Sequence, residues 1–206
     1  MDHIQLPQIL VLTGMPNSGK SHLMKYLVYK WSSEGLIDYV HAICPTKFNG
    51  GFNYIPDAYI HPSYSEELIK KILKQQEIEK KRLVLILDDC LGSVPFDSKT
   101  FQQLVSTHRH YQITLLISTQ SPNKLPNLIR DCCGYSVMLQ CRTNRAITGL
   151  YDSYGVLFET FKDFKRYFVK YTCNNYFILY TKNPPKGVHM YQILRAPVTP
   201  DFKLMY

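Results

Sequence analysis

Gly14-Met15-Pro16-Asn17-Ser18-Gly19-Lys20-Ser21 sets two glycines, a lysine and a hydroxyl at the spacing G-x-x-x-x-G-K-S. An apolar run, Ile9 to Leu12, leads into it, and a helical pattern with Leu23, Tyr26 and Leu27 on one side follows. A polyphosphate cradle needs that strand, loop and helix context. Gly14 and Gly19 let the backbone turn tightly, so that successive N–H groups meet the β- and γ-phosphates at a helix N-terminus that favours negative charge. Lys20 is expected to neutralise the phosphates and Ser21 to place its hydroxyl on Mg²⁺. Asn17, Ser18 and His22 belong to the same loop and first turn, so the expected ligands are ATP and Mg²⁺.

A second group of candidates stands at the end of another apolar run. Leu83 to Leu87 is continuous and terminates in Asp88-Asp89, as a strand covered on both faces of a parallel sheet would. Ligands in open α/β sheets bind at the carboxyl ends of strands, where the phosphate loop also lies. Asp88 is assigned to Mg²⁺, usually through water, and Asp89 to polarising the attacking water. Asp89 is shorter than the Glu that many related ATPases carry there, so it must sit closer or share the task. Gln120 follows the strand Ile113–Ser118 and is placed to bond the γ-phosphate or orient water, as a sensor.

These residues require elements to position them. The pattern predicts strands at 9–12, 38–44, 83–89, 113–118 and 135–140, then an antiparallel pair at 176–181 and 189–194. Helices are predicted at 19–34, stopping at Gly35, at 63–81 with Ser63 or Ser65 as N-cap, through 101–108, at 125–130 and across 157–169. Residues 46–62, with Gly50-Gly51, Pro56 and Pro62, read as an exposed, partly structured connection, 91–98 as a turn, and 197–206 as a tail. A whole strand–helix unit separates the loop strand from the acid strand. That order predicts an α/β P-loop NTPase fold of the RecA-like, additional-strand type, with a mainly parallel sheet flanked by helices. The kinase and GTPase arrangement would set the two strands side by side. The division expected is a P-loop ATPase core at 1–145 and a small β-containing extension at 146–206, packed together as one compact domain.

The chain of 206 residues, 45% apolar and 19% charged, can bury a substantial core and is unlike a disordered chain. Its net charge of +8 points to an acidic partner, nucleic acid being the commonest. Residues 142–206 carry ten Lys/Arg against four acids, so the excess lies downstream of the phosphate loop. Arg142 and Arg145 follow the fifth strand, and Lys162, Lys165, Arg166 and Lys170 gather on one side of a helix whose other side is Leu157, Phe161, Phe164 and Phe168. Such a stripe can track a phosphate backbone or simply meet solvent. Six cysteines without a C-x-x-C pair suit a reducing compartment. The polar Met1–Leu6 does not read as a secretory signal, and no apolar run reaches the ~18 residues of a membrane span.

Three segments together, GMPNSGKS at 14–21, LVLILDDC at 83–90 and RHYQITLLISTQ at 109–120, resemble the poxvirus-type viral DNA-packaging ATPases of the FtsK/HerA superfamily, found in large DNA viruses and virophages. NNYFILYTKNP at 174–184 extends the likeness more loosely, so that it spans most of the chain. The resemblance implies a homo-oligomeric ring, pentamer or hexamer, that hydrolyses ATP to drive double-stranded DNA into a preformed capsid, with capsid vertex proteins as further partners. It implies action in the host-cell cytoplasm at the viral assembly site, or in the virion. It also implies that a neighbouring subunit's arginine completes each site. Arg109 matches the family's Arg-His position, and Arg142 and Arg145 are candidates by location. A surface or DNA-contacting role stays open for each. Two other readings fit the residues: a nucleotide or small-molecule kinase, and a weakly hydrolysing, nucleotide-regulated DNA-binding or capsid-vertex protein, the latter motivated by Asp89.

Overall fold

The computed structural model describes residue 1 and residues 3–45, 50–90 and 92–206. The expectations for 46–49, at the head of the long connection, and for Leu91, at the head of the turn at 91–98, lie outside the described residues.

Four apolar residues and a threonine, Ile9–Thr13, form β1 and are fully buried. The chain then turns into α1 (Lys20–Ser33), which buries Leu23, Met24, Leu27, Val28 and Trp31. Gly35, at φ 63°, ends it: its N–H bonds Ser32 O and the N–H of Leu36 bonds Trp31 O, the paired bonds of a left-handed glycine cap. Truncating a side chain such as Leu27 here would cost about 2–5 kcal/mol.

After β2 (Tyr39–Ile43) the chain returns through β3 (Ile60–His61), a short edge strand that the sequence pattern did not show. Residues 50–62 are also not the exposed connection expected. Phe52, Tyr54, Ile55 and Ile60 are all buried, and the Leu204 N–H bonds Tyr54 O at 2.8 Å. The terminal tail therefore packs down on this segment.

α2 (Glu66–Glu79) is capped by Ser65, whose hydroxyl accepts the Leu68 N–H. β4 (Leu83–Asp88), α3 (Lys99–Thr107), β5 (Ile113–Thr119), α4 (Asn127–Cys132) and β6 (Tyr135–Met138) follow, close to their expected places. α5 (Asn144–Tyr154), capped by Thr143, was not expected. α6 spans Phe161–Tyr171, later than the pattern suggested; Phe164 and Phe168 are buried, Phe161 is half-buried, and Leu157, 65% exposed, precedes the helix instead of joining its apolar face. Thr160 explains the later start, because its hydroxyl accepts the Asp163 N–H and fixes the first turn there. β7 (Tyr176–Thr181) and β8 (Tyr191–Arg195) are antiparallel partners, as expected.

All eight strands make one sheet in the order β3-β2-β4-β5-β1-β6-β7-β8. The first six in that order run parallel, and β7 joins β6 antiparallel. β5 therefore lies between the loop strand β1 and the acid strand β4, which is the additional-strand arrangement. Alternate residues of β1 divide the core: Leu10 and Leu12 pack with α1, Ile9 and Val11 with α2, α3 and α4. α5 and α6 cover β6 and β7 on the α2–α4 side, through Met138, Ile178 and Tyr180. No described helix is long and apolar enough to cross a membrane.

Candidate functional site

The loop between β1 and α1 is anchored at both neighbouring strand ends. The Gly14 N–H bonds Thr119 O at 3.1 Å and the Met15 N–H bonds Gln140 O at 2.9 Å. Asn17 (φ 59°) and Gly19 (φ 95°) take left-handed conformations that bend the loop into the first turn of α1. A side chain at Gly14 would come within 2.3 Å of Ser18 Oγ and 2.9 Å of Leu139 Cβ, so only glycine fits. The Lys20 ammonium folds over this loop, donating to Gly14 O at 2.9 Å and Met15 O at 3.1 Å. Burial pushes its pKa below the usual lysine range, against the pull of Asp89 and Asp88.

The two acids at the end of β4 have different surroundings. Asp88 is 8% exposed and is gripped from both neighbouring strands. Ser118 Oγ donates to its Oδ1 at 2.5 Å, and Cys44 Sγ donates to its Oδ2 at 3.6 Å. Burial raises the Asp88 pKa, and the Ser118 bond opposes that rise. Asp89 is exposed, at φ 48°, and its N–H donates to the same Ser118 hydroxyl at 3.1 Å. Gln120 Nε2 reaches Asp89 Oδ2 at 3.0 Å. Lys20, Asp88, Asp89 and Gln120 thus meet at one end of the sheet, two of them joined through Ser118.

Neither Ser118 nor Cys44 was among the expected site residues. A signal for Ser118 existed: it is a polar residue near the end of the apolar run that Gln120 follows, and in the sheet register it pairs with Asp88. For Cys44, only its place just past β2 could have pointed there.

Ser21 stays with the loop, directly after Lys20, and the remaining candidates are dispersed. Ser21 is exposed at the start of α1. His22 turns toward the C-terminal segment, its Nε2 lying 3.1 Å from Pro197 O. Arg109 lies before β5, at the opposite sheet end from the loop, with its guanidinium on Gln8 Oε1 at 3.2 Å. Seven residues of strand separate the two ends, a distance of about 20 Å. Arg142, exposed, follows Gln140 on the loop side, while Arg145 is exposed in the first turn of α5. On α6, Lys162, Arg166 and Lys170 are exposed and Lys165 is half-buried; Arg166 lies 3.7 Å from Asp163 and Lys170 lies over the Tyr171 ring.

The glycine-bent loop with its buried lysine suits a polyphosphate. The hard oxygen donors of Ser21 and Asp88 suit Mg²⁺, which prefers such ligands. Among the described residues no cluster of three or more His, Cys, Asp or Glu forms a separate metal site.

A family model described as Novel STAND NTPase 3 matches residues 1–129, which carry the loop, both acids, Gln120 and Arg109. Uncharacterized protein 075L of Invertebrate iridescent virus 6 is 29% identical over 184 residues, covering 84% of this chain and 70% of that protein. Uncharacterized protein L437 of Acanthamoeba polyphaga mimivirus is 27% identical over 183 residues, covering 79% of this chain but only 63% of that protein. Among solved structures, the genome packaging NTPase B204 of Sulfolobus turreted icosahedral virus 2, in complex with ATP-gammaS, superposes with a TM-score of 0.69 at 18% identity. That superposition covers 95% of this chain and 100% of the other, and it establishes the shared P-loop NTPase fold.

Proposed function

The chain belongs to the Novel STAND NTPase 3 family, and on that premise we propose that it is a Mg²⁺-dependent ATPase whose hydrolysis drives double-stranded viral DNA into a preformed capsid. The observation that carries the hydrolytic part is the network in which Ser118 joins Asp88 to Asp89 and Gln120 bonds Asp89, beside the Lys20 ammonium.

Gly14, Asn17, Ser18, Gly19, Lys20, Ser21 and His22 form the phosphate-binding segment in this reading. Lys20 exchanges the Gly14 and Met15 carbonyls for phosphate oxygens, which costs little reorganisation because the ammonium already lies over the loop. Ser21 and Asp88 would hold Mg²⁺, which when bound would supply charge neutralisation at the phosphates. Asp89 accepts the proton side of the attacking water, and Gln120 fixes the carboxylate that does so. An arginine of a neighbouring copy in a pentameric or hexameric ring stabilises charge developing on the transferred group. Lys162, Lys165, Arg166, Lys170 and the exposed Arg142 and Arg145 meet the DNA backbone or the next subunit. Capsid vertex proteins are the remaining partners, at the viral assembly site of the host-cell cytoplasm or in the virion. The viral origin of the relatives and the fold shared with a packaging NTPase support this setting.

The test is steady-state ATP hydrolysis with and without double-stranded DNA, at several protein concentrations, beside Lys20→Ala and Asp89→Asn variants. DNA stimulation, turnover per chain that rises with concentration and loss in both variants are expected. Because grip on phosphates releases counterions, DNA affinity should also fall steeply with salt. Turnover indifferent to DNA and concentration would remove the translocase reading and favour a kinase. Near-zero turnover with DNA present would favour the nucleotide-regulated binding protein, in which the exposed, short Asp89 is bonded to Gln120 without activating water.

A further inference from the structure

The two ends of the sheet differ in length. β3 closes one with two residues, whereas β8 presents five at the other. The hydrogen bond from the Thr181 N–H to Met190 O, 2.8 Å long, fixes which β8 groups point inward. Every second residue of an antiparallel strand exchanges bonds with its partner, so Met190, Gln192 and Leu194 face β7. Tyr191, Ile193 and Arg195 therefore direct three N–H and three C=O groups away from the sheet. Among the described residues no other backbone bonds them. We propose that this edge is a docking strand, to which an acidic, extended segment of another protein adds as a ninth strand. The proposal does not depend on the ATPase reading.

An open edge is commonly covered, bent away or kept very short. None of these applies to β8. The segment after it leaves across α1, with Pro197 O 3.1 Å from His22 Nε2 and Asp201 3.5 Å from Lys25, and ends with Tyr206 bonded to Val40 O in β2. Ile193, 38% exposed, and Tyr176, 42% exposed, lie on the α6 face beside the edge. They offer apolar surface to the alternate side chains of an added strand.

Charge selects the occupant. Residues 164–200 contain Lys165, Arg166, Lys170, Lys182, Lys186 and Arg195 and no Asp or Glu. That stretch holds most of α6 and the whole β7–β8 hairpin. A second copy's β8 would set one basic edge against another, which opposes pairing. Phosphate oxygens of DNA would accept from the three N–H groups but have no donor for the three C=O groups. A strand in which Asp or Glu alternates with Val, Ile or Thr answers both the backbone and the cations.

The test measures polarisation of a fluorescent peptide of about nine residues, Glu alternating with Val and Thr, added to the full chain at low salt. The same peptide N-methylated at alternate amides, and a Lys-for-Glu counterpart, serve as comparisons. The Glu peptide should bind at least about tenfold tighter than either, because methylation removes ladder bonds and Lys meets like charge. It should also slow hydrogen exchange at the Tyr191, Ile193 and Arg195 amides. Ile193→Pro removes one outward N–H and no bond to β7, so it should keep the wild-type thermal melt and lose most of the peptide affinity. If that variant fails to fold, the methylated peptide on wild-type protein decides alone. Absence of binding, equal binding of the Glu and methylated peptides, or protection away from β8 would overturn the proposal. So would a folded Ile193→Pro that dissociates an oligomer seen without peptide, which would assign the edge to a second copy. Protection of the same three amides by a DNA duplex, with none from the Glu peptide, would assign it to nucleic acid instead.

Discussion

Ser118 holds Asp88 and Asp89 in register with one hydroxyl, donating to the Asp88 carboxylate and accepting from the Asp89 N–H. A buried hydrogen bond to a charged group is worth about 1.5–3 kcal/mol, and its loss at a reacting centre would slow turnover about 10- to 100-fold. Ser118→Ala should therefore cut ATP turnover by that amount and leave metal-free ATP binding unchanged, whereas Ser118→Thr, which keeps the hydroxyl, should retain most activity. A wild-type rate in Ser118→Ala would show that β4 alone sets the acids. The phosphate loop, the acids and Gln120 were legible because each is a local signal, a fixed spacing or a polar residue ending an apolar strand, and strand carboxyl ends share one side of a parallel sheet. Ser118 and Cys44 were not, because their approach to Asp88 depends on which strands lie beside β4, and that information is absent from any local stretch.

At the next scale, β2 and β3 are joined through imidazoles as well as backbone. His41 and His61 stack at 5.2 Å with an interplanar angle of 10°, and His41 Nδ1 lies 2.9 Å from His61 Nε2. Burial lowers the His41 pKa to about 4, with His61 and Lys71 adding to the effect. The unfolded chain therefore binds this proton first as pH falls, so the stability is present above about 6.5 and is lost on going down through about 4. The shift corresponds to a loss on the order of 3 kcal/mol. Urea melts at pH 7 and pH 4.5 should show it in wild type and a smaller loss in His41→Gln; equal losses would exclude His41 as the source. β3 and α5 escaped the sequence for related reasons. The glycines and prolines of 50–62 read as loop, yet the segment's aromatics are buried under the distant C-terminal residues. α5 contains Gly149, normally a helix breaker; here a side chain would come within 1.6 Å of Asn123 Oδ1, so close packing calls for glycine inside the helix.

For the whole molecule, the strand order decides which arginine can serve which site. The succession of motifs already implied a strand between β1 and β4, and the observed β4-β5-β1 order has it. What that succession could not convey is the direction each arginine faces. Arg109 is about 20 Å of β5 away from its own phosphate loop, so in the ring proposed above it would serve another copy's site; Arg142 is on the loop side, where it could act within its own chain. Mixing variants separates the two. In a head-to-tail ring, equal amounts of Lys20→Ala and Arg109→Ala chains, each inactive alone, should regain activity, because roughly a quarter of the interfaces then pair an intact loop with an intact arginine. Lys20→Ala mixed with Arg142→Ala should regain none if Arg142 acts in its own chain, since no chain then carries both groups. Recovery in the second mixture and none in the first would transfer the neighbour's role from Arg109 to Arg142. Such a result would require the loop side of one subunit, with the β6–α5 turn, to face the phosphate loop of the next.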